Sequence, residues 1–551
     1  MANTINININ NSITLSCPTG ISISDVVKEY KRITGKCVLG AKLDNIIVDM
    51  NTELDTDKTL YFLDYNDSEG NKIYQAGLKF LLILAAKHLW KKDIIFKYSL
   101  DKGIYAEIDK ELDDDSIKEL KEKMLEIVSY DYPMKNCITT REDAIRYYLS
   151  TGEIEKADNI HNTPNQYVIL NNIKQIYNYF YGYIPESTGE LKIFEIQRIN
   201  KNGIILTYPR VNTGNNIPKF NFNKCIYDEL KRHDDWSKRI QVTYVNELNK
   251  KVANGEIQKF IKLNNIFIND SLATVAKDVV KKNEDVKIIL IGGPSSSGKT
   301  TSAYRLCTFL ETFGLKPIVI SADDYFKERE ETPKDPDGNY DFESLKAIDL
   351  ELFNAQLKKL LNGEEVIIPK FNFVTGKKEY IRKPIHLNDD NVLLIEGIHC
   401  LNETMTKSIN RKNKYKIYVC PFTPLGLDRH NHLSTTDMRL IRRIVRDNRV
   451  RGRNVETTLE SWKSVKDGEE KYIFPYIDDA DAVINTAHTY EMGVLRVYAE
   501  PLLYSIPFHS PYYDEARRLL GLLRMFYPIS SEYIENDNTL REFIGGSIYE
   551  K

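Results

Sequence analysis

The most constraining feature of this 551-residue chain is the segment GPSSSGKT at residues 293–300. It fits the pattern G-x-x-x-x-G-K-[ST] without a gap. A loop of this kind wraps a phosphate so closely that its glycines have no room for a Cβ, and its backbone N–H groups point at the anion. An apolar run, KIILI, enters the loop, and a helical pattern with Ala303, Leu306 and Leu310 leaves it. This context favours a nucleoside triphosphate site over a glycine-rich structural turn.

Strand-like and helix-like segments alternate from residue 286 onward. Strands are predicted at 286–293, 317–323, 391–398, 415–421 and 481–486, and helices at 299–313, 349–362 and 437–448. Alternation of this kind is typical of a parallel sheet with helices on both faces. We therefore predict an α/β domain over residues 286–490 and a helical tail over residues 491–551. An apolar stripe in the tail either packs on the sheet or forms a dimer contact, and its members are Leu495, Tyr498, Leu502 and Leu503.

The first 285 residues show three further patterns. Residues 1–65 alternate apolar and polar positions around one helical segment, which predicts a small α+β unit. Residues 66–211 begin with a helix that is apolar on all sides, and then combine an amphipathic helix with strand-like segments, which predicts a second α+β unit. Residues 212–285 are mainly helical and polar, so we expect a linker or a small helical subdomain there.

The amino-acid composition limits the cellular compartment and the classes of binding partner that we expect for this protein. A net charge of −3 gives no general attraction to nucleic acid or to an anionic membrane. The seven cysteines stand singly, which argues against a disulfide framework and a structural zinc site and favours a reducing cytosol. The N-terminal residues lack the basic and apolar regions of a signal peptide, and the longest apolar run, 78–86, is too short to span a membrane. We expect a cytoplasmic protein with no membrane partner.

Carboxylates stand at the ends of two predicted strands. Asp323 and Asp324 follow VISA, and Glu396 follows VLLI. In open α/β sheets ligands bind beyond the carboxyl ends of the strands, so these groups lie where a kinase needs a base near the γ-phosphate. A guanine-reading N/T-K-x-D motif is absent from the sequence. The alternatives are a helix N-cap for the aspartates and an ion pair with a lysine or arginine for Glu396.

The segment DMRLIRRIVRDNRVRGR at 437–453 is rich in arginine. Four of the arginines fall on one face of a predicted helix, opposite an apolar face, and would repel one another without an anion between them. A triphosphate held by the loop at 293–300 suits this charge better than nucleic acid does. We expect the segment to close over the nucleotide as a lid. The four stacked arginines are Arg439, Arg442, Arg443 and Arg446.

Six motifs occur in the order found in the uridine kinase and phosphoribulokinase family of P-loop kinases, and this resemblance covers residues 286–490. They are GGPSSSGKTT, SADDYF, NYDFESLKAID, IPKFNF, IEGI and RRIVRDNRVRGR. The resemblance implies ATP and Mg²⁺ as cofactors, Asp323 as the base for a sugar hydroxyl, and Arg446 and Arg451 as lid arginines on the ATP phosphates. It implies that Thr300, Glu396 and Asp323 hold Mg²⁺, and that Lys299 takes part in catalysis. The ATP-binding residues it implies are Gly293, Pro294, Ser295, Ser296, Ser297, Gly298, Lys299, Thr300 and Thr301.

The acceptor side of the same resemblance is less complete. Glu343 stands where the family places an acid on the ribose hydroxyls, although that acid is usually aspartate. The family's pyrimidine-reading tyrosine and histidine are replaced by the Phe371-Asn372-Phe373 segment and by Gly376. Recognition of the base is therefore the open part of the resemblance. The acceptor-binding residues that it implies are Tyr325, Phe326, Phe342, Glu343, Phe371, Arg443 and Arg453.

The N-terminal half resembles the first two domains of threonyl-tRNA synthetases. Residues 1–65 look like the β-grasp (TGS-like) module, and residues 66–211 look like the editing domain. The editing domain works with two pairs, His-x-x-x-His and Cys-x-x-x-His. The resemblance places apolar residues at all four positions, which predicts an editing fold without editing chemistry. The four residues are Phe80, Leu84, Phe180 and Ile184.

These observations lead to one leading hypothesis and two alternatives. The leading hypothesis is a kinase that transfers the γ-phosphate of ATP to a sugar hydroxyl, with the 5′-hydroxyl of a uridine- or cytidine-like ribonucleoside as the acceptor. The first alternative keeps the fold and uses another small alcohol, such as a ribulose phosphate or a pantothenate-like compound. The second is an RNA-binding regulator in which ATP controls the lid. The oligomeric state stays open.

Overall fold

The computed structural model describes residues 4–211, 213–282, 284–334, 338, 340–372, 375–388, 390–423 and 425–550. The first unit is a five-stranded sheet, in the order β2-β1-β7-β4-β5, covered by one helix. Alternate isoleucines of β1 face that helix and are buried, which is the pattern predicted from the sequence. The elements are β1 (Thr4–Ile9), β2 (Ile13–Pro18), β3 (Ile21–Ser22), α1 (Ile23–Thr34), β4 (Gly40–Leu43), β5 (Ile46–Val48), β6 (Glu53–Leu54) and β7 (Lys58–Leu63).

The second unit has two antiparallel sheets, β13-β14-β9-β8 and β10-β11-β12. Its first helix, α2, is buried along most of its length, because apolar residues occupy every side of it. The elements are α2 (Ser68–Trp90), β8 (Ile94–Leu100), β9 (Gly103–Ile108), α3 (Asp114–Ser129), β10 (Lys135–Thr140), α4 (Arg141–Ser150), α5 (Ile154–His161), β11 (Tyr167–Ile173), β12 (Ile176–Asn178), β13 (Glu195–Arg198) and β14 (Gly203–Thr207).

The four-stranded sheet of the second unit is covered on both faces. In β9, Ile104 and Ala106 pack with α2 and α3, whereas Tyr105 faces the other way. Tyr105 and its neighbours on that face pack against Leu230, Tyr418 and other residues of the C-terminal half. The N-terminal half is therefore joined to the rest of the protein through a buried apolar interface.

Three helices connect the second unit to the next sheet: α6 (Lys224–Arg239), α7 (Val245–Ala253) and α8 (Ile257–Lys281). Trp236, Leu248 and Phe260 of these helices share one hydrophobic core with apolar residues of the C-terminal helices. Helix α8 also packs on the sheet that follows it, where Leu272 and Val275 belong to the same core as the central strands.

The C-terminal half contains a five-stranded sheet in the order β16-β19-β15-β20-β23, in which every neighbouring pair is parallel. This confirms the predicted α/β architecture. Successive residues of β15 enter different cores, Leu290 on one face and Ile289 and Ile291 on the other. Its elements are β15 (Ile288–Gly292), α9 (Lys299–Thr312), β16 (Lys316–Ser321), α10 (Leu350–Leu361), β17 (Lys370–Asn372), β18 (Lys377–Glu379), β19 (Asn391–Glu396), β20 (Lys414–Cys420), β21 (Gly426–Asp428), β22 (Asn431–His432), α11 (Thr435–Arg451), α12 (Val455–Tyr472) and β23 (Ala482–Asn485).

The tail forms α13 (Glu491–Tyr504), α14 (Tyr513–Arg524) and α15 (Arg541–Ile544). The predicted apolar stripe packs on other helices and not on the sheet, because Leu495 and Leu503 lie in one core with Leu440 and Ile441 of α11. Helices α11 and α13 are in direct contact. Among the residues that the structure describes, no helix is both long and apolar enough to cross a membrane.

Candidate active site around the phosphate loop

The loop at residues 293–298 joins the central strand β15 to α9. A Cβ on Gly293 would lie 2.1 Å from the carbonyl oxygen of Val419 on the adjacent strand. Gly298 has a φ of +84°, which an L side chain rarely adopts. Both glycines are therefore required by the protein's own backbone, in addition to any close approach of a phosphate.

The side chains at the start of α9 differ in exposure. Lys299 donates a hydrogen bond from Nζ to the carbonyl oxygen of Pro294 over 3.1 Å, which folds its ammonium group back over the loop. Thr300 is exposed, whereas Thr301 is buried. The hydroxyl of Thr300 is thus open to a ligand, and the N-terminus of α9 directs its positive end toward the same space.

Arg439 and Arg442, the first two of the four stacked arginines, contact the backbone of the phosphate loop. Arg439 forms two charged hydrogen bonds with Glu469 of α12, at 2.5 and 2.7 Å, and donates to the carbonyl oxygen of Ser295 over 3.2 Å. Arg442 is paired in the same bidentate way with Glu491 of α13, with both distances at 2.7 Å, and donates to the carbonyl oxygen of Ser296 over 3.4 Å. These two arginines support the loop's backbone.

The expectation that all four stacked arginines face an added anion is therefore wrong for Arg439 and Arg442. Their counter-charges are Glu469 and Glu491, which are 1% exposed and lie 30 and 49 residues further along the chain. A buried charge needs such a partner. The sequence pattern did not reveal the pairing, because the partner acids stand on other helices.

The later part of the arginine-rich segment at 437–453 carries an excess of positive charge. Arg443, Arg446 and Arg451 share one buried carboxylate, Asp447, at 3.3, 2.8 and 3.5 Å. The three guanidinium groups hold the pKa of Asp447 below its usual range, despite its burial. The pKa of Arg451 is lowered to about 10 by partial burial and by Arg446. One carboxylate for three arginines leaves a site that attracts an anion.

The predicted carboxylates lie at the ends of adjacent parallel strands. Ser321 pairs in register with Glu396, and its Oγ donates a hydrogen bond to the Glu396 carboxylate over 2.8 Å. Burial and the nearby charge of Asp323 raise the pKa of Glu396 to about 7. The pKa of Asp323 is itself raised by burial and by Asp324, against the opposing effect of Lys299. The two carboxylates therefore repel each other beside the phosphate loop.

The two structural alternatives, a helix N-cap for the aspartates and an ion pair for Glu396, do not match the contacts of these acids. Asp323 lies inside a short 3₁₀ turn, Ala322–Tyr325, and the residue at that turn's N-cap is Ser321. Asp324 forms the local ion pair instead, with Arg382 at 2.8 Å. Asp324 also accepts a hydrogen bond from the backbone N–H of Phe371 over 3.3 Å, which anchors the aromatic segment beside the site.

Three of the predicted acceptor-binding residues form an aromatic cluster, called the aromatic wall below, in which Phe326 and Phe371 are buried and Phe342 is partly buried. Phe326 packs against Phe342 and Phe371, with ring centroids 5.8 and 5.7 Å apart. Tyr325 is wrong as an acceptor-binding residue: it is fully buried, its ring packs on Phe353, and its hydroxyl donates to Gln356 over 2.7 Å. Tyr325 ends the 3₁₀ turn and Phe326 follows it, and their rings pack on different neighbours, which the sequence motif alone does not show.

Glu343 is partly buried at the end of this wall. Burial and the neighbouring carboxylate of Glu469 raise its pKa to about 7, and Arg443 opposes the shift. Arg443 also donates to the hydroxyl of Ser295 over 2.8 Å, so it bridges the acceptor wall and the phosphate loop. Arg453 is exposed beyond the end of α11. Phe373 and Asn339, which belong to the sequence motifs, lie outside the described residues.

Three groups near the site were not identified from the sequence. His399 is 2% exposed, and burial lowers its pKa to about 4, so its ring is neutral near the backbone of Glu343 and Ser344. Asp447 is an acid within the arginine-rich segment at 437–453, and its position among the arginines is a sequence signal from which it could have been identified. Glu542 of α15 accepts a hydrogen bond from the hydroxyl of Thr301 over 2.8 Å. Its position 241 residues after Thr301 left no local signal.

A glycine-rich loop between the central strand of a parallel sheet and a helix, with carboxylates at the neighbouring strand ends, defines a P-loop kinase fold. The phosphoribulokinase/uridine kinase family model matches residues 288–492. The uridine kinase of Borrelia duttonii (strain Ly) is 30% identical over 207 residues, covering 36% of this chain and 86% of that protein. The uridine kinase of Lactobacillus helveticus (strain DPC 4571) is 26% identical over 204 residues, covering 37% of this chain and 88% of that protein.

A solved structure described as a possible uridine kinase from Bacillus stearothermophilus is 21% identical, with a TM-score of 0.28, and covers 39% of this chain and 98% of that one. On the sequence matches, this chain belongs to the phosphoribulokinase/uridine kinase family of ATP-dependent kinases. The resemblance predicted for the C-terminal half is thereby confirmed at the level of the family.

Proposed function

We propose that this protein transfers the γ-phosphate of ATP to a sugar hydroxyl, and that the acceptor is the 5′-hydroxyl of a uridine- or cytidine-like ribonucleoside. One observation carries the proposal. The carboxylate of Asp323 lies within the electrostatic influence of Lys299, Arg446 and Arg451, which are the cations that a triphosphate in the loop would meet. A base and a set of phosphate-binding cations therefore share one site.

The phosphate side works through charge and position. The backbone N–H groups of residues 293–298 and the N-terminus of α9 bind the phosphates of ATP. Lys299 exchanges its contact with Pro294 for the β- and γ-phosphates, and Arg446 and Arg451 close on them from α11. Because Asp447 neutralises only part of the arginine charge, the triphosphate completes the balance. This arrangement stabilises the charge that develops on the transferred group.

Asp323 acts as the base toward the acceptor. The raised pKa makes its carboxylate a stronger proton acceptor than an ordinary aspartate. The hydroxyl proton passes to Asp323 as the acceptor oxygen bonds to the γ-phosphorus, and the bond from that phosphorus to ADP breaks. Lys299 opposes the rise in the pKa of Asp323 and so favours the charged form of this carboxylate in the resting enzyme.

Mg²⁺ fits the same end of the sheet. Thr300 offers an exposed hydroxyl, and the pKa of the Glu396 carboxylate is raised by burial and by the nearby charge of Asp323. Hydroxyl and carboxylate oxygens are the ligands that Mg²⁺ accepts in proteins. When bound, Mg²⁺ would neutralise charge on the β- and γ-phosphates. We propose Thr300, Glu396 and Asp323 as the protein groups that hold it.

We propose that the acceptor lies between the aromatic wall and three charged side chains. Phe326 and Phe371 are buried, and Phe342, which is partly buried and packs on Phe326, is the ring of the wall that can meet a base or sugar face. We propose that Glu343 binds the sugar hydroxyls, and that Arg443 and Arg453 orient the acceptor near the phosphate loop. Gly376 cannot supply a base-reading group, and a Cβ there would lie 2.8 Å from the Cβ of Arg329. The lack of a base-reading side chain at Gly376 is the observation that favours the alternative, in which another small alcohol is the acceptor.

We also propose that residues 1–65 form a β-grasp module and residues 66–211 an editing-like domain without editing chemistry. The strand order β2-β1-β7-β4-β5, with one helix across the sheet, supports the first assignment. The second is supported by the four aligned positions, which meet in one hydrophobic core. Phe80 and Phe180 have ring centroids 5.6 Å apart, and Leu84 and Ile184 belong to the same core.

The proposal is tested by a coupled assay of ATP consumption with and without Mg²⁺. The acceptor panel comprises ribonucleosides, deoxynucleosides, ribulose 5-phosphate and pantothenate. Fast turnover with uridine or cytidine is expected, and fast turnover with a different alcohol would replace the acceptor but keep the reaction. Failure with the whole panel by a protein that still binds ATP would contradict the proposal. RNA binding at about 50 mM salt in a filter assay would then support the regulator alternative.

A further inference from the structure

The C-terminal segment 537–550 lies over the end of the phosphate loop and the start of α9. Thr539 and Phe543 are 1% and 0% exposed, which shows that the segment is packed into the fold. A Cβ on Gly298 would lie 2.5 Å from Cγ2 of Thr539, so the segment reaches the last glycine of the loop. It is therefore a wall of the phosphate-binding region, contributed by residues beyond the family match at 288–492.

Several contacts fix the segment in this place. Arg449 of α11 donates to the carbonyl oxygens of Phe543 over 3.1 Å and of Glu542 over 3.0 Å. Tyr549 stacks on Tyr304 of α9, with ring centroids 5.3 Å apart and an angle of 9° between the planes. Because α9 and α11 both hold the segment, the position of Glu542 is set by packing and not by a loose terminus.

Glu542 places a carboxylate at the N-terminus of α9. Its Oε2 accepts a hydrogen bond from Oγ1 of Thr301 over 2.8 Å and a second, longer one from the backbone N–H of Thr301 over 3.4 Å. This N–H belongs to the first turn of the helix, which has no partner inside the helix. The first turn of a helix is also where a phosphate of the nucleotide would bind, since it offers the same N–H groups and the same positive end of the dipole.

We propose that Glu542 is an internal competitor for the nucleotide: its carboxylate occupies Thr301 in the resting enzyme and must swing away when the polyphosphate binds. One helix terminus cannot hold a carboxylate and a phosphate at once, because the two anions need the same donors and repel each other. The apparent affinity for ATP is then reduced by the fraction of molecules in which Glu542 occupies Thr301. The segment around Glu542 keeps its packing, and only the side chain moves.

The inference rests on the proposed function in that it requires ATP as the nucleotide. The test is the dissociation constant of ATP, measured by calorimetry without any acceptor, for the full-length protein and for Glu542→Gln and Glu542→Ala. The matched control is Glu532→Gln, which removes the same charge from an exposed position of the same tail. Glu542→Gln keeps the size of the side chain, so it guards against a packing effect of the alanine variant.

Both Glu542 variants are expected to bind ATP about 3- to 10-fold more tightly than the unchanged protein, and the control is expected to match the unchanged protein. An equal gain in the Glu532→Gln control would overturn the inference, because it would indicate long-range charge and not competition at Thr301. Unchanged or weaker ATP binding by both Glu542 variants would also overturn it, and would leave the proposed kinase function intact. Absence of ATP binding by every variant would overturn the proposed function together with the competition.

Discussion

The pairing of Arg442 with Glu491 can be tested by removing the acid alone. Arg442 is 0% exposed and Glu491 is 1% exposed, and their two hydrogen bonds are both 2.7 Å long. Glu491→Gln leaves the guanidinium charge of Arg442 buried without a counter-charge. Breaking a buried ion pair in this way costs about 3–5 kcal/mol. Arg442 also donates a hydrogen bond to the carbonyl oxygen of Ser296 in the loop. The loss of stability is therefore expected in the domain that binds the nucleotide.

The expected result is a loss of about 6–20 °C in the melting temperature of that domain, from about 2–4 °C per kcal/mol for a unit of 150–250 residues. Differential scanning calorimetry measures it. A protein with several domains need not unfold in one step, so the relevant transition is the one that saturating ATP shifts upward. ATP stabilises only the part of the protein that binds it.

The matched control is Glu500→Gln, on the same helix. Glu500 pairs with Arg496 at 2.9 Å, and these side chains are 23% and 21% exposed. A pair of this kind contributes less than about 1 kcal/mol, so its loss should lower the melting temperature only slightly. If Glu491→Gln behaves like the control, the reasoning is refuted and Arg442 is free to serve an added anion. The double change Arg442→Met with Glu491→Leu should recover most of the loss, because it removes both buried charges.

Three further predictions concern the site itself. Asp323→Asn should lower turnover by about 10²–10⁴-fold while the dissociation constant of ATP, measured by calorimetry, stays close to that of the unchanged protein; near-normal turnover would rule out Asp323 as the base. Thr300→Val should raise the Mg²⁺ concentration needed for half-maximal activity, and an unchanged Mg²⁺ titration would remove Thr300 from the metal site. Glu343 has a folded-state pKa of about 7 against an ordinary value of 4.5, so its contribution to stability is present below about pH 4.5 and is lost as the pH rises through about 7. The melting temperature should therefore fall more steeply between about pH 5 and pH 8 in the unchanged protein than in Glu343→Gln, and equal slopes in the two proteins would contradict the shift.

Much of the site followed from local patterns. The sequence predicts the loop at 293–300 because phosphate binding needs a short contiguous motif. It predicts the carboxylates at the ends of β16 and β19 because acids that close an apolar strand are visible in the sequence. The aromatic segment was predicted from its motif, and Phe326 and Phe371 do meet. The motif places Tyr325 with the acceptor-binding residues, but its ring packs on Phe353 of α10, whereas the ring of Phe326 packs on Phe371. This difference depends on tertiary packing and not on composition.

The chain's own residues determined the alternation of strands and helices, the phosphate loop and the acids beside it, since each depends on residues that are close in sequence. Tertiary structure alone decided which charges are structural and which are available. Arg442 and Arg446 lie on the same helical face four residues apart, yet one is neutralised by Glu491 on another helix and the other shares Asp447. Tertiary structure likewise brought Glu542 to Thr301 across 241 residues. The physical reason is that the free energy of a buried charge depends on its partners in space, which the order of the chain does not reveal.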